Sequence, residues 1–295
     1  MSNDLWIMLI GSLVSAACAL VGCFLVLRKQ AMMGDAISHS VLPGIVIAFL
    51  VTQSRAPIPM LLGAGALGLL TAFATNALER HGRLQADASI GVTFTWLFAV
   101  GVILISAFAG HVDLDAECVL YGEIASSPYD IWLIGDTDMG PRAVWMLGAI
   151  TIANIIFVTL GYKQLKITSF DPEMAAALGI NVTLWHYLLM GFVSFTTVGA
   201  FESVGAILVV AMLIVPPNTA YLLTDRLSRM LIYSVIIGIL SAIGGYWLAW
   251  LIDGSIAGAI ASVSGALFLL AALFSPTHGV IAGYLARRHA LITPD

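Results

Sequence analysis

Charge is scarce in this chain. Only 12 of its 295 residues are Lys or Arg and 17 are Asp or Glu, so 10% of the sequence is charged while 60% is hydrophobic. A water-soluble fold carries far more charge than that, and the ratio excludes one. Cysteine is nearly absent as well. Cys18 and Cys23 fall within one apolar block as packing residues and Cys118 stands alone, which excludes a disulfide scaffold. A formal charge of -5 and a pI near 5.6 give nucleic acid no footing. There is no GxxxxGK(S/T) phosphate loop, so the chain does not bind ATP by that device. HExxH, GxSxG and CxxC are missing too, and with them the commonest signatures of hydrolytic and redox centres.

What is present is apolar sequence in blocks of about 20 residues, the length an α-helix needs to cross the hydrocarbon layer. The blocks fall approximately at 5–27, 35–52, 58–79, 88–109, 142–161, 183–201, 203–222, 231–250 and 256–274. They predict an all-α, polytopic transmembrane bundle of about nine spans in a single domain, 1–295. The first block begins at Asp4, lacks a basic leader, and runs into Arg28-Lys29, so it reads as a span and not a cleaved signal. With the N-terminus outside, the inner loops hold Arg28, Lys29, Arg80, Arg83, Lys163, Lys166, Arg226, Arg229, Arg287 and Arg288, and the outer loops only Arg55 and Arg142. Ten against two is the asymmetry that orients membrane proteins, and it puts the C-terminus in the cytoplasm.

In such a chain function belongs to the few polar residues among the apolar ones. The densest group is LRKQAMMGDAISHSVLPG, Leu27 to Gly44. Asp35 and His39 are four apart and share one helical face, with Ser38 and Ser40 beside them and Pro43-Gly44 interrupting the run just beyond. A carboxylate and an imidazole on one face can ligate a divalent transition ion. The same pair also suits a structural His–Asp hydrogen bond, or an Asp cap at the membrane edge. Two ligands are fewer than such ions take, so other groups must contribute.

Glu202, in GAFESVGAILVVAMLIVPP, is the second outlier. At the outer boundary it is an entrance residue or merely solvated; deeper, it is a further ligand. Thr196 and Thr197 precede it and either assist weakly or bond back to their own helix. Pro216-Pro217-Asn218 predicts a kink with freed carbonyls. The outer loop 111–140 carries Asp113, Asp115, Glu117, Glu123, Asp130, Asp136 and Asp138 with no Lys or Arg. That field concentrates cations, docks a basic rim, or simply solvates a loop. Its YGEI and WLIG patches suggest segments that dip into the interface or pack as short helices.

The inner loop KQLKITSFDPEMAAALGIN predicts a short helix too short to span, within 168–180. Thr168, Ser169 or Asp171 can cap it, Pro172 and Glu173 suit its first turn, and Gly179 suits its end. It presents Phe170, Met174 and Leu178, either to its own domain or as a knob for another protein. His81, His278 and His289 read as loop or terminal residues, and His186 as a capping or interface residue at the inner end of its span.

Three segments together resemble one family: 27–44, SFDPEMAAALG at 169–179, and VGAILVVAMLIVPPNTAYLLTDRL at 204–227. The family is the ABC-3 group of manganese, zinc and iron(II) ABC transporter permeases. The resemblance implies a type II ABC importer permease fold and a transport subunit that is not itself an enzyme. It implies a cytoplasmic ABC ATPase dimer, an extracytoplasmic metal-binding protein, and a second permease subunit, either an identical copy or a paralogue. Asp35 and His39 match the family's acidic residue and histidine on the ion path, and residues 169–179 match its coupling helix. Asn218 departs from the Pro-Ala-Ala form common in relatives. No permanently bound cofactor is expected, only a transported divalent ion. Asp, His and Glu suit manganese, iron(II) and zinc alike, and the lack of sulfur ligands argues against copper(I). Manganese is the expected cargo, with zinc and iron(II) as alternatives. A stand-alone secondary metal transporter is the competing class, but it predicts inverted repeats, and no internal repeat stands out. A membrane enzyme would need a denser polar constellation.

Overall fold

The computed structural model describes residues 3–53, 57–108, 124–134, 137–275 and 279. Arg55, Arg287, Arg288, Cys118, His111, His278 and His289 lie outside that set, as do Asp113, Asp115, Glu117, Glu123 and Asp136 of the acidic loop.

Helices α1 (Asn3–Leu27), α2 (Met32–Ser40), α3 (Leu42–Thr52), α4 (Pro57–Gly82) and α5 (Ala86–Phe108) form the first half. Then come α6 (Arg142–Leu160), α7 (Tyr162–Phe170), α8 (Pro172–Ala177), α9 (Val182–Val204), α10 (Ala206–Leu223), α11 (Leu227–Ile252) and α12 (Ile256–Phe274). Among the described residues nine stretches are long and apolar enough to cross a membrane, with α2 and α3 together making one of them, Met33–Thr52. The break between α2 and α3 falls at Val41. Two residues on, Pro43 has no N–H for the carbonyl of His39, so the helix is interrupted beside the polar pair.

The stretch 131–134 is not one of the short helices that its apolar patch offered. It is strand β1 (Ile131–Ile134), paired antiparallel with β2 (Thr137–Pro141). Ile134 pairs with Thr137, so only Gly135-Asp136 separates the paired positions, a composition that suits a short hairpin.

Helix α1 is the hub, packed on α6, α9, α10 and α11, while α2 to α5 form a second cluster that meets the first through α9 and α10. Its buried side is lined by Ile10, Val14, Cys18, Val21 and Phe24. Buried polar groups cross-link the hub. Asn154 donates to the Ala17 carbonyl at 3.1 Å and to the Thr196 hydroxyl at 2.8 Å, joining α6 to α1 and α9. Each such bond satisfies a group that hydrocarbon would leave orphaned. Apolar side chains such as Val51, Leu160 and Trp250 point outward, as lipid-facing residues must.

One close approach ties the halves together. Pro217 cannot donate to the Leu213 carbonyl, and the backbone of Gly22 lies against that freed oxygen. A Cβ at Gly22 would also come within 3.0 Å of the Leu213 carbonyl carbon and of Pro217 Cγ, so only glycine fits. The Leu213 side chain in turn rests on Gly34 of α2, 2.9 Å from where a Cβ would stand.

The two ends of the bundle collect different residues. At one pole Arg28, Lys29, Arg80, Thr168 and Ser169 line a common cavity. At the other, Asn3 donates to the Tyr129 hydroxyl at 3.3 Å, Ser127 donates to the Ser203 carbonyl at 2.6 Å, and Trp145 donates to the Met139 carbonyl at 2.9 Å.

Candidate functional site

Asp35 and His39 fall on one face of α2, with Asp35 Oδ1 3.6 Å from His39 Nε2. That separation is too long for a hydrogen bond. Their side chains are 33% and 37% exposed. The geometry is therefore not that of a buried structural His–Asp pair; both groups keep lone pairs free on an accessible face. The imidazole is held by rings of α5, with Phe94 and Phe98 centroids each 5.9 Å away. The neighbouring hydroxyls are otherwise engaged. Ser38 donates to the Asp35 carbonyl and Ser40 to the Ile37 carbonyl, while Thr71 of α4 donates to Ser40 at 2.6 Å. Phe94 and Phe98 carry no signal in an apolar helix and were not foreseen from sequence.

Glu202 is not brought to this pair. It sits exposed in the last turn of α9, at the opposite pole, in a cavity of about 100 Å³ shared with Asp130, Arg142 and Ser127. The physical reason is helix length: α9 begins beside Arg28, where Val182, Thr183 and His186 line the other cavity. A helix of its 23 residues carries the chain about 35 Å away. It stops at Gly205, whose φ of +80° and ψ of 162° are open essentially to glycine alone. Among the described residues no three of His, Cys, Asp and Glu lie together as a metal cage. The Asp35–His39 pair therefore has no third such group beside it among the described residues. Thr196 and Thr197 are buried and bond back to Phe192 and Val193 of their own helix.

The third element is the loop between α6 and α9. Asp171 caps α8, its Oδ1 accepting from the Met174 N–H at 2.9 Å, and Pro172 takes the first position, where a missing N–H is harmless. Glu173 follows in the first turn, and Gly179 takes the left-handed turn past the end at φ +80°. Ala175 is buried, while Phe170, Met174 and Leu178 are 59%, 54% and 62% exposed. Three large apolar side chains stand clear of the bundle on a segment too short to span.

A family model described as the ABC 3 transport family matches residues 3–275. The chain is 54% identical over 281 residues, 95% of each chain, to the manganese transport system membrane protein MntD of Bacillus subtilis (strain 168). It is 43% identical over 287 residues to the zinc transport system membrane protein TroD of Treponema pallidum (strain Nichols), covering 96% of this chain and 77% of that one. A solved structure, PsaBC from Streptococcus pneumoniae in complex with Fab, matches with a TM-score of 0.78 at 30% identity, over 98% of this chain and 96% of that one.

Proposed function

This chain belongs to the ABC 3 transport family, and from that premise we propose that it carries manganese inward past Asp35 and His39. It is the membrane-spanning permease subunit of an ABC importer for divalent transition metal ions, a multi-pass protein of the bacterial inner membrane. ATP hydrolysis resides in a separate partner chain, and the metal is transient cargo, not a resident cofactor.

The observation that carries the path is the accessible Asp35–His39 pair at 3.6 Å. A divalent ion leaves water only if oxygen and nitrogen groups replace its shell. Two such groups from each of two permease subunits make four, and their hold must stay weak enough for the ion to leave. Glu202, with Asp130 nearby, guards the entrance on the delivery-protein side. The 10-to-2 basic asymmetry supports placing that side outside and the Arg28 pole in the cytoplasm. Residues 168–180 are the coupling segment: Phe170, Met174 and Leu178 enter a pocket of the ATPase, held in register by the Asp171 cap, Pro172, Glu173 and Gly179. Manganese is favoured by the naming of the B. subtilis relative; Asp and His by themselves suit manganese, zinc and iron(II) alike.

The test is uptake of manganese, zinc and iron(II) by the reconstituted complex with its delivery protein and ATPase. The reading expects ATP-dependent uptake with manganese preferred. Uptake without the ATPase would favour a secondary transporter and overturn it.

A further inference from the structure

We propose that Arg28 is a positioning residue that ties the ATPase-docking segment to the helix carrying Asp35 and His39. The proposal rests on the reading of residues 168–180 as the coupling segment.

Arg28 follows the last residue of α1, and its guanidinium spreads over three groups. Nε donates to the Ser169 hydroxyl at 3.0 Å, one Nη donates to the Thr168 hydroxyl at 3.0 Å, and the other meets His186 Nδ1 at 3.5 Å. Thr168 and Ser169 end α7 immediately before the Asp171 cap, and His186 lies in the first turns of α9. One side chain thus grips the chain on both sides of the docking helix. The Thr168 proton goes to the Gln164 carbonyl at 2.8 Å, which leaves that oxygen's lone pairs for Arg28. Burial pulls the guanidinium pKa down to about 10, still far above neutral, so the charge is kept. Among the described residues no carboxylate lies within ion-pair distance of it. These neutral acceptors carry the whole task of holding it.

The link onward to the metal pair is stiff. The Gln30 N–H bonds to the Leu25 carbonyl at 2.9 Å and the Lys29 N–H to the Val26 carbonyl at 3.0 Å, the paired closure that ends a helix in a fixed direction. Lys29 is held at φ 57°, a left-handed conformation that a lysine adopts only under constraint. The Met33 N–H then bonds to the Gln30 carbonyl at 3.0 Å, and α2 begins. Asp35 lies two residues further on. From Ser169 the path to Asp35 runs through the Arg28 side chain, the short hydrogen-bonded turn at residues 28–31 and the start of α2. A push on α8 is passed to α2 through Arg28.

A purely structural staple would affect assembly and leave the yield per ATP alone. The test therefore measures manganese uptake and ATP hydrolysis together, in proteoliposomes holding the whole complex. Arg28→Gln, and separately the Thr168→Val/Ser169→Ala pair, should each lower ions moved per ATP about tenfold, the change that losing a hydrogen bond to a charged group carries. Arg28→Lys should restore part of it. Combining Arg28→Gln with the pair should do no more than Arg28→Gln alone, because the pair removes contacts that Arg28→Gln already removes. An unchanged ratio, or fully additive losses, would overturn the proposal. If Arg28→Gln prevents assembly, the near-isosteric pair decides alone, by the same ratio. ATPase pull-down with Asp171→Arg runs alongside. Binding retained there overturns the docking reading. Binding lost there with unchanged ratios in the Arg28 variants overturns only the role of Arg28.

Discussion

Replacing Gly22 by alanine adds one methyl group at a close crossing of α1 and α10. That methyl would lie within 3.0 Å of the Leu213 carbonyl carbon and Pro217 Cγ, and closer still to the Leu213 oxygen. A relaxed carbon–oxygen contact needs about 3.3–3.6 Å, so α1 and α10 must part. Neither obstacle can swing aside, since one is main chain and the other a proline ring. The cost is therefore about 3 kcal/mol, at the upper end for an overpacked core. The strain also travels. Leu213 rests on Gly34, next to Asp35, so moving α10 shifts the helix that holds the metal pair. Thermal unfolding of the detergent-solubilised complex, followed by size-exclusion, should show a lower midpoint for Gly22→Ala together with reduced uptake. Gly148→Ala is the matched control: nothing lies within 4 Å of its added methyl, and a helix-interior alanine should be neutral or stabilise by about 0.5–1 kcal/mol. If Gly22→Ala melts and transports like wild type, the reading of a glycine-dependent crossing at the proline kink is wrong.

Three further outcomes are expected. In a background without native cysteines, a cysteine at Asp4 should react with an impermeant reagent added outside and one at Lys163 should not; labelling at Lys163 in sealed cells would contradict the assigned sidedness. Asp171→Arg removes a helix cap contributing about 1 kcal/mol, and Gly179→Pro blocks the turn beyond it. Both should weaken ATPase pull-down while the permease still reaches the membrane, and unchanged association would reduce α8 to a surface helix. Glu202→Gln should lower uptake by about twofold to fivefold, the scale of one charge at an entrance, with a stronger effect at low delivery-protein concentration; complete loss would make it a ligand instead.

The spans were legible in the sequence because the bilayer imposes one length on every crossing helix. The Asp35–His39 pairing was legible because four residues make about one helical turn. The Asp171 cap and the Gly179 turn were legible because both are local rules of helix ends. What was hidden depends on distant partners or on a single break. The depth of Glu202 could not be read until the helix end at Gly205 was known, and one glycine among 28 announces nothing. The grip of Arg28 on Ser169 joins positions 141 residues apart, and α1 meets the freed Leu213 carbonyl from the far end of the chain. Strands 131–134 and 137–141 stand where short helices were one of two readings, because the apolar patch outweighed the Gly-Asp signal in the sequence.

The central claim is that Asp35 and His39 carry the ion. Its most direct measurement is manganese uptake into proteoliposomes by complexes bearing Asp35→Asn or His39→Ala, with assembly checked by gel filtration. The account predicts intact complexes that still hydrolyse ATP and move no metal. Wild-type uptake in both variants would remove the pair from the path. Loss of uptake together with loss of assembly would make it a structural element of α2.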